Sequence, residues 1–124
     1  MRIVFSVNNN NGIESEVSAH FGKCPYFLVI DVEESGAVKN TEAVSNPYFS
    51  GHSPGVVPEF IAELGADIMI SGGMGPKAIE YFEKLNIKVF TGAQGSVKSN
   101  LAKFLENKLS SASPCSSEEN DKIC

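Results

Sequence analysis

The residues best able to do chemistry are two histidines, one cysteine and two glycine-rich bends. His20 and Cys24 lie in Ser-Ala-His-Phe-Gly-Lys-Cys-Pro, and His52 lies in Ser-Gly-His-Ser. Imidazole and thiolate suit soft or borderline metals and iron–sulfur clusters. The bends are Ser71-Gly72-Gly73-Met74-Gly75 and Thr91-Gly92-Ala93-Gln94-Gly95, each following a short apolar run. A strand–loop–helix junction leaves bare N–H groups at a helix N-terminus, where negative charge is favoured. Two such loops side by side would make a platform for a small anionic ligand. Each feature also has a plain structural reading. The glycines also serve simply as tight turns, and His20 as a residue that hydrogen-bonds its own loop. Cys24 also fits as a small buried hydrophobe. Met74, between glycines, is expected to be exposed unless it packs down onto the sheet. Lys77 opposes the helix dipole, which is either ordinary surface placement or added positive charge for an anion.

Catalytic constellations are missing from the chain. No Ser/His/Asp set can be placed, no G-x-x-x-x-G-K-[ST] occurs, and no carboxylates pair at strand ends. A two-metal nuclease needs clustered acids, whereas the first strand offers Ser6 and Asn8. No catalytic residue can be named on this basis.

The elements that must position these residues follow from hydrophobic pattern. Arg2 to Val7 reads as a buried strand, and Asn8 to Gly12 as a turn or loop. Tyr26 to Val32 is almost wholly apolar, which suggests a strand covered on both faces. Ala37 to Val44 has mixed polarity, reads as an edge strand and closes a hairpin with the strand before it. A helix starts after Gly55 with Val57, Phe60, Ile61 and Leu64 inward, and ends at Gly65. Asp67 to Ile70 is the fourth strand. A second helix runs from about Gly75 to Leu85 with Ile79, Phe82 and Leu85 inward. Ile87 to Phe90 is the fifth strand, and its Lys88 marks an edge. The third helix is capped by Ser96 and runs to about Lys108, with Val97, Leu101, Phe104 and Leu105 inward.

The order β-β-β-α-β-α-β-α, with right-handed crossovers for the last strands, favours a mixed five-stranded sheet of order 3-2-1-4-5. Strand two is then antiparallel to its neighbours. This topology gathers the Asn8 loop, His20 to Cys24, His52 and both glycine loops at one rim. Ligands of open α/β sheets bind at that rim, near the switch point of strand order.

Size and composition agree with one domain. The chain has 124 residues, a formal charge of -5 and a pI near 5.0. That balance argues against a general nucleic-acid binder. No apolar run approaches the roughly 20 residues of a membrane span, and the N-terminus does not read as a signal peptide. A cytoplasmic protein with reduced thiols is expected. Residues 1–108 are expected to form the domain. Residues 109–124, rich in serine, glutamate and asparagine, form a flexible tail carrying Cys115 and Cys124. Those two cysteines read as exposed thiols, or as part of a tail that folds back and caps the rim.

The motifs resemble a known family. Ser18-Ala19-His20-Phe21-Gly22-Lys23-Cys24-Pro25-Tyr26-Phe27 is similar to its S-x-H-F-G-[RK]-x-P-Y-F stretch. Gly75-Pro76-Lys77-Ala78 and Val89 to Val97 are similar to its two later motifs, in the same order. This is the dinitrogenase iron–molybdenum cofactor biosynthesis family, of the NifX and NifB C-terminal domain type. The resemblance covers about residues 1 to 108. It implies a ribonuclease H-like, three-layer α/β fold and non-catalytic carriage of a metal–sulfur cluster or its precursor. Relatives include proteins from organisms that fix no nitrogen. Cys24 stands where the family often has alanine, which together with the cysteine-bearing tail suggests a thiolate-rich variant.

The leading expectation is therefore a carrier for an iron–sulfur or iron–molybdenum-type cluster. His20, Cys24 and His52 are its candidate metal ligands. Asn8, Ser71, Gly72, Gly73, Met74, Gly75, Thr91, Gly92 and Gly95 are its candidate cofactor contacts. Expected partners are the cluster cargo and proteins that donate and accept it, with no nucleic acid and no membrane, and the state a monomer or weak dimer. The alternative is a small-anion or nucleotide-binding protein that uses the two glycine-rich loops. A third reading is an interaction module pairing through an edge strand.

Overall fold

A computed structural model describes residues 1–49, 51, 55–107 and 109. Five strands and three helices follow in the expected order. The strands are β1 (Arg2–Val7), β2 (Tyr26–Val32), β3 (Val38–Ser45), β4 (Ile68–Ile70) and β5 (Lys88–Phe90). The helices are α1 (Val56–Glu63), α2 (Pro76–Lys84) and α3 (Val97–Leu105). The sheet order is β3-β2-β1-β4-β5. β1 pairs antiparallel with β2 and parallel with β4, and β4 pairs parallel with β5. The mixed sheet predicted from the pattern is thus the one observed.

Alternation along β1 decides which side chains enter which layer. Val4 joins Phe27, Val29 and Met69 on the face covered by α1 and α2, against Val57, Ile61, Ile79 and Phe82. Ile3, Phe5 and Val7 join Leu28, Ile30, Ile68 and Ile70 on the opposite face, against Val97 and Leu101 of α3. The edges behave as edges. Residues 38–42 of β3 are all exposed, and so is Lys88 on β5.

Helix ends are fixed by local chemistry. Gly65 at φ 84° and Asn86 at φ 61° adopt the left-handed conformation just past α1 and α2. α3 stops at Leu105, short of the expected Lys108, and Asn107 takes φ 60° two residues on. Leu105, expected inward, is instead 38% exposed. Asn100 takes a fully buried position on the inner face of α3 that the apolar stripe did not assign to it. A single 3-10 turn, Gly12–Glu14, orders part of the asparagine-rich loop. His52, Cys115, Cys124 and the expected tail from residue 110 lie outside the described residues.

Candidate functional site

Three segments meet at the carboxyl edge of β1, β4 and β5. The Gly72 N–H donates to the Ser18 carbonyl at 2.8 Å, and the Gly92 N–H donates to the Gly72 carbonyl at 2.9 Å. A Cβ on Gly72 would lie 2.7 Å from the Ser18 oxygen and 2.8 Å from the Ala19 Cα. A Cβ on Gly73 would lie 2.8 Å from the Ala19 oxygen. Only a residue without a side chain lets the loop of His20 close onto the first glycine bend. The expected convergence of residues 18–20, 71–75 and 91–96 is therefore present.

The hydrogen bonding of these bends is lopsided. In the first, the Gly73 carbonyl accepts from the Ser71 hydroxyl at 2.9 Å and the Gly75 carbonyl from the Ile79 N–H at 3.2 Å. Among the described residues, the N–H groups of Gly73, Met74 and Gly75 meet no acceptor. α2 then begins at Pro76 with no side chain capping it. In the second bend the carbonyls of Gln94, Gly95 and Ser96 are all engaged, by Asn100, Val17 and Asn100 respectively. The N–H groups of the same three residues meet no acceptor among the described residues. Such groups are satisfied by water or by a ligand.

Charge follows the same pattern. The chain carries 15 acidic and 10 basic residues. Residues 17–26, 71–79 and 90–98 contain no Asp or Glu, yet hold Lys23, Lys77 and Lys98. All three lysines are exposed. Two acids adjoin these segments in sequence: Glu16, which accepts a hydrogen bond from Asn8 Nδ2 at 3.0 Å, and the exposed Glu80.

The predicted site residues separate into those the rim presents and those it does not. His20 is exposed, and its backbone is set by a hydrogen bond from its N–H to Ser18 Oγ at 3.1 Å. Gly73, Gly75, Thr91, Gly92 and Gly95 lie in the bends as expected. Asn8 is committed to Glu16 through both its side chain and its N–H. The Ser71 hydroxyl and the Gly72 N–H are likewise engaged within the loops. Met74, expected exposed, is 4% exposed and packs in the core with Phe21, Cys24 and Phe82. A flexible thioether fills that gap under the bend.

Cys24 also requires correction. It is fully buried, and its thiol donates to the Phe21 carbonyl at 3.2 Å. Burial pushes the thiol up from an ordinary 9.0 to about 11, only partly offset by the neighbouring Ser6 hydroxyl. Cys24 in this conformation is a core residue, in line with its plain reading as a small buried hydrophobe. Among the described residues, no three His, Cys, Asp or Glu side chains are grouped to hold a metal ion.

Two supporting residues were not read from the sequence. Asn46 Nδ2 donates to the carbonyls of Gly22 at 3.2 Å and Cys24 at 2.8 Å, which ties the His20–Cys24 loop to the end of β3. Asn100 clamps the second bend from within α3. A polar residue three positions after Val97, on the inner face of a helix, is the signal that marks Asn100 in the sequence. Two grooves of about 650 and about 500 Å³ lie elsewhere, beside Arg2 and Asp31 and between α2 and β5. The chemistry favours the rim over either. Arg2, the guanidinium of the larger groove, is already bound to Asp31 and to the Leu64 carbonyl.

Fold and rim together define a small mixed-sheet α/β domain with its loops gathered at the switch point of the sheet. The chain belongs to the dinitrogenase iron-molybdenum cofactor family, whose model matches residues 1–107. It is 33% identical over 111 residues to the uncharacterized protein MJ0580 of Methanocaldococcus jannaschii, spanning 88% of this chain and 89% of that one. Its fold is similar to the crystal structure of PH0822, with a TM-score of 0.78 and 39% identity over 90% of this chain and 96% of that chain. It is also similar to the apo form of the orange protein from Desulfovibrio gigas, with a TM-score of 0.79 and 26% identity over 91% and 93% of the two chains. No helix among the described residues is long and apolar enough to cross a membrane.

Proposed function

We propose that this domain, ribonuclease H-like in its strand order, is a non-catalytic carrier for an iron–sulfur or iron–molybdenum-type cluster or its precursor. The cluster is cargo, received from one protein and passed to another. The observation that carries the reading is the unbalanced rim. Six N–H groups, at residues 73–75 and 94–96, meet no acceptor among the described residues, and segments 17–26, 71–79 and 90–98 hold three lysines and no carboxylate. Sulfides of an anionic cluster accept hydrogen bonds of this kind, and outer contacts tune and hold a metal centre. His20, exposed beside the Gly72–Gly73 contact, is the direct metal ligand in this reading. Family membership and the apo form reported for the orange protein support it further.

The test is anaerobic reconstitution with iron and sulfide, followed by metal analysis and a visible spectrum. Stoichiometric loading that falls when His20→Ala is introduced and persists in Cys24→Ala supports the rim. Loading that needs Cys115 and Cys124 instead refutes it. The N–H groups left open before the uncapped start of α2 favour one competing reading, a site for a free phosphate ester or nucleotide on the same donors. That reading predicts a thermal shift with phosphate esters and no iron uptake.

A further inference from the structure

We infer that Asn100 is a positioning residue that sets the Gln94–Gly95 peptide of the second bend, turning the Gln94 carbonyl inward and leaving the Gly95 N–H for the rim ligand. The inference rests on the rim being the ligand site. Gly92 and Gly95 both take left-handed φ values, 84° and 88°, and a Cβ at either would meet nothing within 4 Å. Two such glycines leave the intervening peptides free to rotate. The Ser96 carbonyl is held by the Asn100 N–H at 3.1 Å, the first bond of α3, but among the described residues no backbone bond fixes which way Gln94 points its carbonyl.

Asn100 removes that freedom. Its Nδ2 uses both protons, one on the Gln94 carbonyl and one on the Ser96 carbonyl, each at 2.7 Å. The third carbonyl, of Gly95, accepts from the Val17 N–H at 2.9 Å. A rotated Gln94–Gly95 peptide would break a buried amide contact and turn a carbonyl oxygen toward the ligand, where it would repel an anion.

The cost of the arrangement argues that it has a purpose. Asn100 is fully buried on the face that carries Val97 and Leu101, a place packing alone would fill with leucine. Its Oδ1 is buried with no hydrogen-bond partner among the described residues. An unsatisfied buried acceptor is destabilising.

Asn100→Leu keeps the branching and the number of heavy atoms, though its methyl groups are bulkier, and removes the two donors. The expected result is a folded protein by circular dichroism in which the amide resonances of Gln94, Gly95 and Ser96 shift and broaden while those of Gly73 and Gly75 stay in place. Iron and sulfide loading should fall at least several-fold in the same variant. Unmoved resonances at 94–96 would overturn the inference, and so would moved resonances with unchanged loading. If Asn100→Leu does not fold, Asn100→Ala, which also removes both donors, is read in the same way. Should the wild-type protein load no iron and sulfide, the cluster reading fails by itself. The resonances of 94–96 then still decide whether Asn100 orients the bend.

Discussion

Gly72 and Ser18 are joined twice: by an N–H···O bond of 2.8 Å, and by a gap that leaves 2.7 Å between the Ser18 oxygen and any Cβ at 72. The bond requires the close approach, and the close approach requires glycine. Gly72→Ala should therefore push the His20 loop away from the first bend. The neighbouring atoms are backbone, so they yield less easily than a side-chain tip. We expect a loss of about 1–3 kcal/mol, in the range of overpacked interiors. Gly75→Ala is the control, because its φ is -73° and a Cβ there meets nothing within 4 Å. Urea denaturation of the two variants checks the contrast. Equal midpoints would show that the three-loop seam is not what holds His20.

Cys24 provides a prediction in pH. Its folded pKa, about 11, lies above the ordinary 9.0 because burial disfavours the thiolate. The folded state then holds the proton that the unfolded chain releases above pH 9. Stability from this group is complete below pH 9 and falls between pH 9 and 11, by roughly 3 kcal/mol in all. Tyrosines and lysines titrate nearby, so the quantity to measure is the difference between the wild type and Cys24→Ala across pH 8 to 11. In a Cys115→Ser/Cys124→Ser background the native thiol should resist alkylation at pH 8 and react on denaturation. Rapid native alkylation would place Cys24 at the rim after all.

Much of this was legible in the sequence. The wholly apolar Tyr26 to Val32 run and the mixed-polarity run after it placed β2 inside and β3 at the edge, and the crossovers did the rest. That topology was enough to gather the glycine bends and His20 at one rim. Loop side chains were harder to read. Met74 and Cys24 lie in loops, where no period reports which way a side chain faces, and both turned into the core. Asn8 looked free, but its partner Glu16 is eight residues away across a bend with no regular pattern. The Ser18–Gly72 contact joins residues more than fifty positions apart, and only tertiary closure reveals it.

The two helices that leave the rim start differently. Ser96 Oγ accepts from the Ser99 N–H at 3.1 Å, so α3 is capped by its own chain. Ser96→Ala should lower stability by about 1 kcal/mol, the usual worth of such a cap. It should leave ligand loading nearly unchanged, because the donors the hydroxyl covers are not offered to the rim. A large loss of loading with a small loss of stability would instead show that the Ser96 hydroxyl contacts the cargo.

α2 has no such cap, and that difference separates stability from function. Gly75 precedes Pro76 with φ -73° and ψ 161°, an extended geometry compatible with a capping side chain. Gly75→Asp should place a carboxylate against the first-turn N–H groups of Lys77 and Ala78. Glycine is already a tolerable cap, so the gain in stability is only a few tenths of a kcal/mol. The carboxylate also cancels part of the positive end of the helix, an effect of about 0.3–1 kcal/mol per charge. An anionic cargo held at the N–H groups of residues 73–75 would then meet a negative charge beside its donors. The expected outcome is a protein at least as stable as the wild type that loads iron and sulfide, or binds a phosphate ester, several-fold less well. Undiminished loading in a Gly75→Asp variant of wild-type stability would show that the open start of α2 takes no part in holding the ligand.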